Sequence, residues 1–222
     1  MATTKEKRES LEEWSAYFPL YQKWKDQFLI QRNGGVLSGI CLDTTRDPKT
    51  YKPTFFFHNL LVPSPTITLA YATPLLVRGV YKPLKYGVSA DVDIRDFKNQ
   101  IKVACEPITF GIFFDHVMEA QRCGRGYLPN TLRDLIIVGS SLGDRDYYVS
   151  TLEDAASAIE AKSGINLSII GSISEWSNTV GSLIKQDHDG TISKQIEVHR
   201  LPALEDRGMP YRRIEEFWKS FS

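Results

Sequence analysis

Apolar residues over positions 5–32 recur at steps of three and four: Leu11, Trp14, Tyr17, Phe18, Tyr21, Trp24 and Phe28. That period puts them on one face of a helix. Pro19 interrupts the run. It lacks an amide donor and disfavours helix at Phe18, which predicts a break there with Pro19 opening a second helical segment. Asn33-Gly34-Gly35 supplies the stop. Beyond it the pattern changes. Val36–Leu42, the dense run "TFFFHNLLV" at Thr54–Val62, and Thr66–Val77 read as strands, and Pro74 suits the last of them to an edge or a strand end. Val88 to Ile94 alternates strictly, which predicts a half-buried strand over Tyr86–Ile94. Ile101–Cys105 predicts a further short strand.

Phe113, Val117 and Ala120 return to helical spacing, so a helix is expected from about Thr109 to a stop at Gly124. Leu132–Val138, "LRDLIIV", reads as strand. Ser150-Thr151-Leu152-Glu153 has the form of a capping box, with a helix expected to follow as far as Gly164. A second helix is expected from Ser172 or Ser174 to Lys185. Thr191–Leu201 reads as strand, and Pro210 opens a last helix carrying Phe217, Trp218 and Phe221. The predicted fold is α+β: a mixed or mainly antiparallel sheet packed by N-terminal and C-terminal helices. No linker stands out, so one domain over 1–222 is expected, helical over 5–33, strand-rich over 36–105, and mixed but mostly helical over 108–222.

Charge narrows the partners. Lys and Arg number 27, and so do Asp and Glu. A zero balance argues against nucleic acid and anionic membranes as general partners. It also gives little protection against self-association, so a homo-oligomer stays open. Cys41, Cys105 and Cys123 lie far apart in sequence, without a C-x-x-C pair, which fits a reducing compartment. The N-terminus is charged and lacks an apolar signal core, and no stretch is apolar enough for a membrane span. A cytoplasmic protein is expected.

The stretch "IIVGSSLGDRD" at Ile136–Asp146 raises the question of a phosphate loop. Such a loop needs backbone donors converging at a helix N-terminus. Gly143 comes one position too early for G-x-x-x-x-G-K-[ST], no lysine follows, and G-x-G-x-x-G fails too. The expected helix cap at Ser150 lies seven residues beyond Gly143. A polar turn or hairpin is the expectation, with Asp144 and Asp146 as candidate metal ligands or catalytic carboxylates.

Other chemistry is sparse. His116 and Glu119 lie one helical turn apart and could supply a base and its orienting carboxylate. Asp91 and Asp93 would project to one side of a strand and could hold a divalent cation; a wet strand face is the plainer reading. His58 and Asn59, inside an apolar run, need hydrogen-bond partners if buried. No zinc-protease pattern and no nucleophile elbow is present, and no cofactor is indicated. Trp14, Tyr21, Trp24 and Trp218 are either core or anchors for a protein partner, since Trp and Tyr lead interface hot spots.

Over residues 17–35, Phe18-Pro19, Tyr21 and Asn33-Gly34-Gly35 resemble the start of bacterial immunity proteins of the cell-wall-assembly-regulator superfamily, where an aromatic-rich helix ends in an asparagine-glycine-glycine turn. The resemblance implies a binding role. The expected function is protein–protein binding in a regulatory, immunity or antitoxin-like role; the alternative is a metal-dependent hydrolase or nuclease-like enzyme.

Overall fold

Helix α1 (Thr4–Tyr17) opens on a complete capping box: Thr3 accepts from the Glu6 amide, and the Glu6 carboxylate accepts from the Thr3 amide. It ends one residue before Phe18, where the following Pro19 disfavours helix. In the computed structural model the described residues are 1–64, 66–161 and 171–197. They fall into two units. Unit 1 comprises residues 1–33, 37–58 and 69–108; unit 2 comprises residues 34–36, 59–68 and the chain from Thr109 onward. The fold is α+β with a mostly antiparallel sheet.

Unit 1 is built on that sheet. Strands β1 (Gln22–Trp24), β2 (Phe28–Asn33), β3 (Val36–Thr44), β4 (Thr50–Asn59) and β5 (Ala70–Pro74) lie in sequential order. Strands β6 (Leu76–Val77) and β7 (Val80–Tyr81) form a separate small hairpin, and β8 (Leu84–Lys85) pairs with the start of β4. Val36–Leu42 is buried without a break, as are Thr54–Asn59. Strands buried on both faces show continuous apolar runs in place of alternation. Pro74 sits at the end of its strand, where the missing amide costs no central ladder bond.

Two segments of unit 1 depart from the sequence reading. Residues 22–33 are a hairpin, not a second helical segment. Trp24 and Phe28 are direct cross-strand partners, their ring centroids 5.1 Å apart. A step of four across a three-residue turn brings two rings together as well as a helical turn does, and Lys25 at φ 53° makes that turn. Asn33-Gly34-Gly35 accordingly turns β2 into β3, with Gly34 at φ +52°. The second departure is Val88–Ile94. Helix α2 (Asp91–Gln100) occupies its latter half, burying Ile94 and Phe97 at a helical step of three. Val88 and Val92, which made the alternation, are 56% and 70% exposed. Residues Lys102–Cys105 form a 3-10 turn in place of the expected strand.

The core of unit 1 is aromatic. Trp14 stacks on Phe18 and meets Phe97 edge-on, and its indole N–H donates to the Tyr51 hydroxyl at 3.0 Å. His58 lies near the end of β4 at 2% exposure, and burial holds its pKa down, at about 4. Its charged form is therefore disfavoured in the folded state. In the unfolded chain an imidazole titrates near its ordinary value of 6.5. Above that value the folded state suffers no penalty. As pH falls from about 6.5 to about 4 the unfolded chain takes up a proton that the folded one refuses, and stability drops by about 3 kcal/mol. Urea midpoints measured across this window should show the loss, and His58→Gln should flatten it. Equal slopes in both proteins would remove His58 as the cause.

Unit 2 is helical: α3 (Phe110–Arg122), α4 (Leu128–Leu142), α5 (Arg145–Ala161), α6 (Ile173–His188) and α7 (Thr191–Gln195). Two expectations hold here. Thr109 caps α3 through the Ile112 amide and Gly124 follows its end at φ +69°. Ser172 caps α6 with Glu175 completing the box. Others are corrected. Leu132–Val138 is helix, because Asp134 to Gly139 are buried all round and a short apolar run carries no period of its own. Ser150 lies inside α5, its hydroxyl bonded back to the Tyr147 carbonyl at 2.7 Å. Thr191–Gln195 is helix, not strand. Residues 198–222, with the last expected helix and Trp218, lie outside the described residues, as does Gly164. Among the described residues no helix is long and apolar enough to cross a membrane.

Candidate functional site

The stretch "IIVGSSLGDRD" is the corner between α4 and α5. Ile136, Ile137 and Val138 belong to α4, and the Gly143 amide closes that helix on the Gly139 carbonyl at 2.8 Å. Asp144 then opens α5: its Oδ1 accepts from the Tyr147 amide at 3.1 Å. A carboxylate in this position satisfies an orphan donor and suits the positive end of the helix dipole. Aspartate is thus the cap of α5, six residues ahead of the cap read from the sequence at Ser150. Asp146 sits in the first turn, its side chain 96% exposed and 3.6 Å from Arg145.

Both glycines make room for one ring. A Cβ on Gly139 would lie 2.5 Å from the Tyr148 ring. On Gly143 it would lie 2.8 Å from the Gly139 carbonyl oxygen and 3.2 Å from the same ring. Distances below 3.0 Å force a shift, so the G-x-x-x-G spacing serves close packing of Tyr148 over the end of α4. Ser141, between them, hydrogen-bonds Asp187 of α6 and partly offsets the burial that raises that carboxyl above its ordinary pKa. The loop motif is therefore accounted for by packing and capping.

Tyr148, seated in this way, continues a chain of rings. Phe114 and Phe110 of α3 lie 6.0 Å apart, Phe110 meets Tyr148 edge-on at 5.0 Å, and Tyr148 meets Tyr147 edge-on at 5.0 Å. The ends of the chain face water: Phe114 is 40% and Tyr147 60% exposed. The two exposed rings, contributed by two helices, are thus linked through a half-buried pair. The sequence reading missed this link. Phe110 and Phe114 stand four apart on the expected helix, but Tyr147-Tyr148 lie ahead of the helix start expected at Ser150, so the two pairs had no reason to meet.

The other candidate residues are scattered. His116 and Glu119 do lie one turn apart on α3, His116 half-buried and Glu119 exposed. The Glu119 carboxylate is engaged by Arg122 and by the Cys123 thiol. Asp91 and Asp93 stand two apart in the first turn of a helix, where such residues do not share a face. That corrects the strand placement. Asp91 pairs with Arg95 at 3.0 Å and Asp93 with Lys82. Among the described residues no group of three His, Cys, Asp or Glu side chains comes together to hold a metal ion. Trp14, Tyr21 and Trp24 are 0%, 4% and 4% exposed. Their faces are spent on the core of unit 1, where Tyr21 bonds Ser38 at 3.0 Å, so they offer no anchor to a partner.

Comparison with known proteins returns no matching family model, no matching curated relative and no matching solved structure.

Proposed function

We propose that the chain acts by binding another protein, in a regulatory, immunity or antitoxin-like role, through the aromatic surface of unit 2. The carrying observation is the four-ring chain from Phe114 to Tyr147, connected inside the unit and exposed at its ends. Aromatic rings supply most of the energy at interface centres, because they bury a large apolar area at little cost in side-chain entropy. The inner pair, Phe110 and Tyr148, is held by packing, so the outer rings are presented in a set geometry. A preorganised surface of this sort loses less freedom on binding. Nucleic acid is the weaker reading, because the ring chain carries no Lys or Arg of its own and the whole chain has no net positive charge.

A photo-crosslinking residue at position 147, compared with one at the exposed Glu153, tests this in cells of the native host. The expected result is one discrete protein adduct from position 147 and none from position 153. Once that partner is identified, Phe114→Ser combined with Tyr147→Ser should weaken its binding by about 30-fold or more, the effect of losing a hot-spot ring. Melting should move little, since both rings are surface groups. Full affinity in the double variant would sink the proposal.

A further inference from the structure

Unit 1 holds an open surface cleft of about 500 Å³ lined by Asp43, Thr44, Thr45, Arg46, Lys52, Tyr81 and Pro83. That is within the range of small-ligand sites, roughly 300–1,000 Å³. Its walls come from separate parts of the chain: the end of β3, the β3–β4 turn, β4, and the β6–β7 hairpin with the proline after it. The turn is stiffened by its own hydrogen bonds. Thr45 Oγ1 pairs with Thr50 Oγ1 at 2.5 Å, the Thr50 amide donates to the Asp47 carbonyl at 2.9 Å, and the Lys49 amide donates to Asp47 Oδ1 at 3.0 Å. Arg46 is therefore carried on a fixed backbone.

The charges on these walls are not neutralised by ion pairs. Neither Arg46 nor Lys52 nor Asp43 makes an ion pair with another described residue. Lys52 Nζ lies 5.4 Å from the centre of the Tyr81 ring, and that ring is 59% exposed. A flat ring with an ammonium against it, a guanidinium nearby and one carboxylate acceptor makes a composite demand. It calls for a ligand with an aromatic plane to stack, an anionic group for the two cations, and hydroxyl or amino donors for the carboxylate. A bare anion answers only one part of it.

We propose that this cleft binds a nucleoside monophosphate. The base stacks on Tyr81, Arg46 and Lys52 take the phosphate, and Asp43 accepts from sugar hydroxyls or a base amino group. Charge-assisted contacts to the phosphate and stacking on the ring supply the affinity. The site lies in unit 1 and shares no residue with the aromatic surface of unit 2.

Titration calorimetry on the intact chain tests it with AMP, GMP, CMP and UMP, with inorganic phosphate and adenosine as part-ligands, and with a short single-stranded RNA. At least one monophosphate should bind saturably at one site, about tenfold or more tighter than either part-ligand. Tyr81→Ala, Arg46→Ala and Lys52→Ala should each weaken it about tenfold, while Tyr81→Phe keeps it. None of the three positions is buried, and melting curves of the variants check that they fold. The proposal is overturned by silence with all four nucleotides, by inorganic phosphate binding equally well, or by variants without effect. RNA binding much tighter than any mononucleotide, through the same residues, would overturn it in favour of a nucleic-acid strand.

Discussion

Asp134→Ala is expected to destabilise unit 2 by about 3 kcal/mol, the low end for breaking a buried ion pair. Asp134 lies on α4 with its side chain 6% exposed. Its Oδ1 accepts from Arg133 Nε at 2.9 Å, from Arg133 Nη2 at 2.8 Å, and from Asn59 Nδ2 at 3.2 Å. Asn59 in turn accepts from the Leu61 amide at 2.9 Å, so the segment after β4 is tied to the helix through one carboxylate. Removing it leaves a cation and an amide group facing a gap that apolar neighbours cannot fill. Arg133 keeps a quarter of its side chain in water, which places the loss at the low end. Asp134→Asn keeps the volume and one acceptor, and should cost less than alanine. Urea unfolding of the two variants measures both; a shift under about 1 kcal/mol for alanine would mean that the network contributes little.

Trp14→Ala should cost unit 1 about 3–5 kcal/mol, as large aromatic truncations in a packed core do. The ring is fully buried, and its removal strips contacts from Phe18 and Phe97 together. It also removes one of the two hydrogen-bond partners of the Tyr51 hydroxyl, leaving Ser10, at a group whose burial already pushes its pKa up to about 12. Trp14→Phe restores most of the volume but not the hydrogen bond, and should recover more than half of the loss. This pair of variants also separates core from interface. A tryptophan kept for a partner would leave the melting temperature unchanged when truncated, and such a result would return Trp14 to the surface.

The chain's aromatic residues divide between positions that local backbone rules fix and positions that only distant contacts fix. Trp14 and Phe18 belong to the apolar run that predicts α1, and local rules are enough to end that helix ahead of Pro19, at Tyr17. The same step of four, continued to Trp24 and Phe28, belongs to a hairpin. Helix and hairpin both bring such residues together, and the choice between them rests on whether neighbouring strands are available to pair. Ile136-Ile137-Val138 shows the opposite error. A short buried run has no period, so its backbone was decided by α5 and α6 packing around it. The candidate carboxylates misled for a related reason. Asp91, Asp93 and Asp144 are enriched at helix starts because donors and the dipole favour them there, and without the helix boundaries they look like ligands.

By itself the sequence determined the α+β class, the helices α3 and α6, and the central strands β3 and β4. These follow from local backbone preferences and from the period of apolar residues, which act over a few positions. Only the tertiary structure decided what Gly139 and Gly143 are for, which of the aromatic residues stay at the surface, and which charges line a common cleft. Those depend on contacts between residues far apart in the chain. Tyr148 needs both glycines beneath it, and the ring chain from Phe114 to Tyr147 exists because two helices meet there.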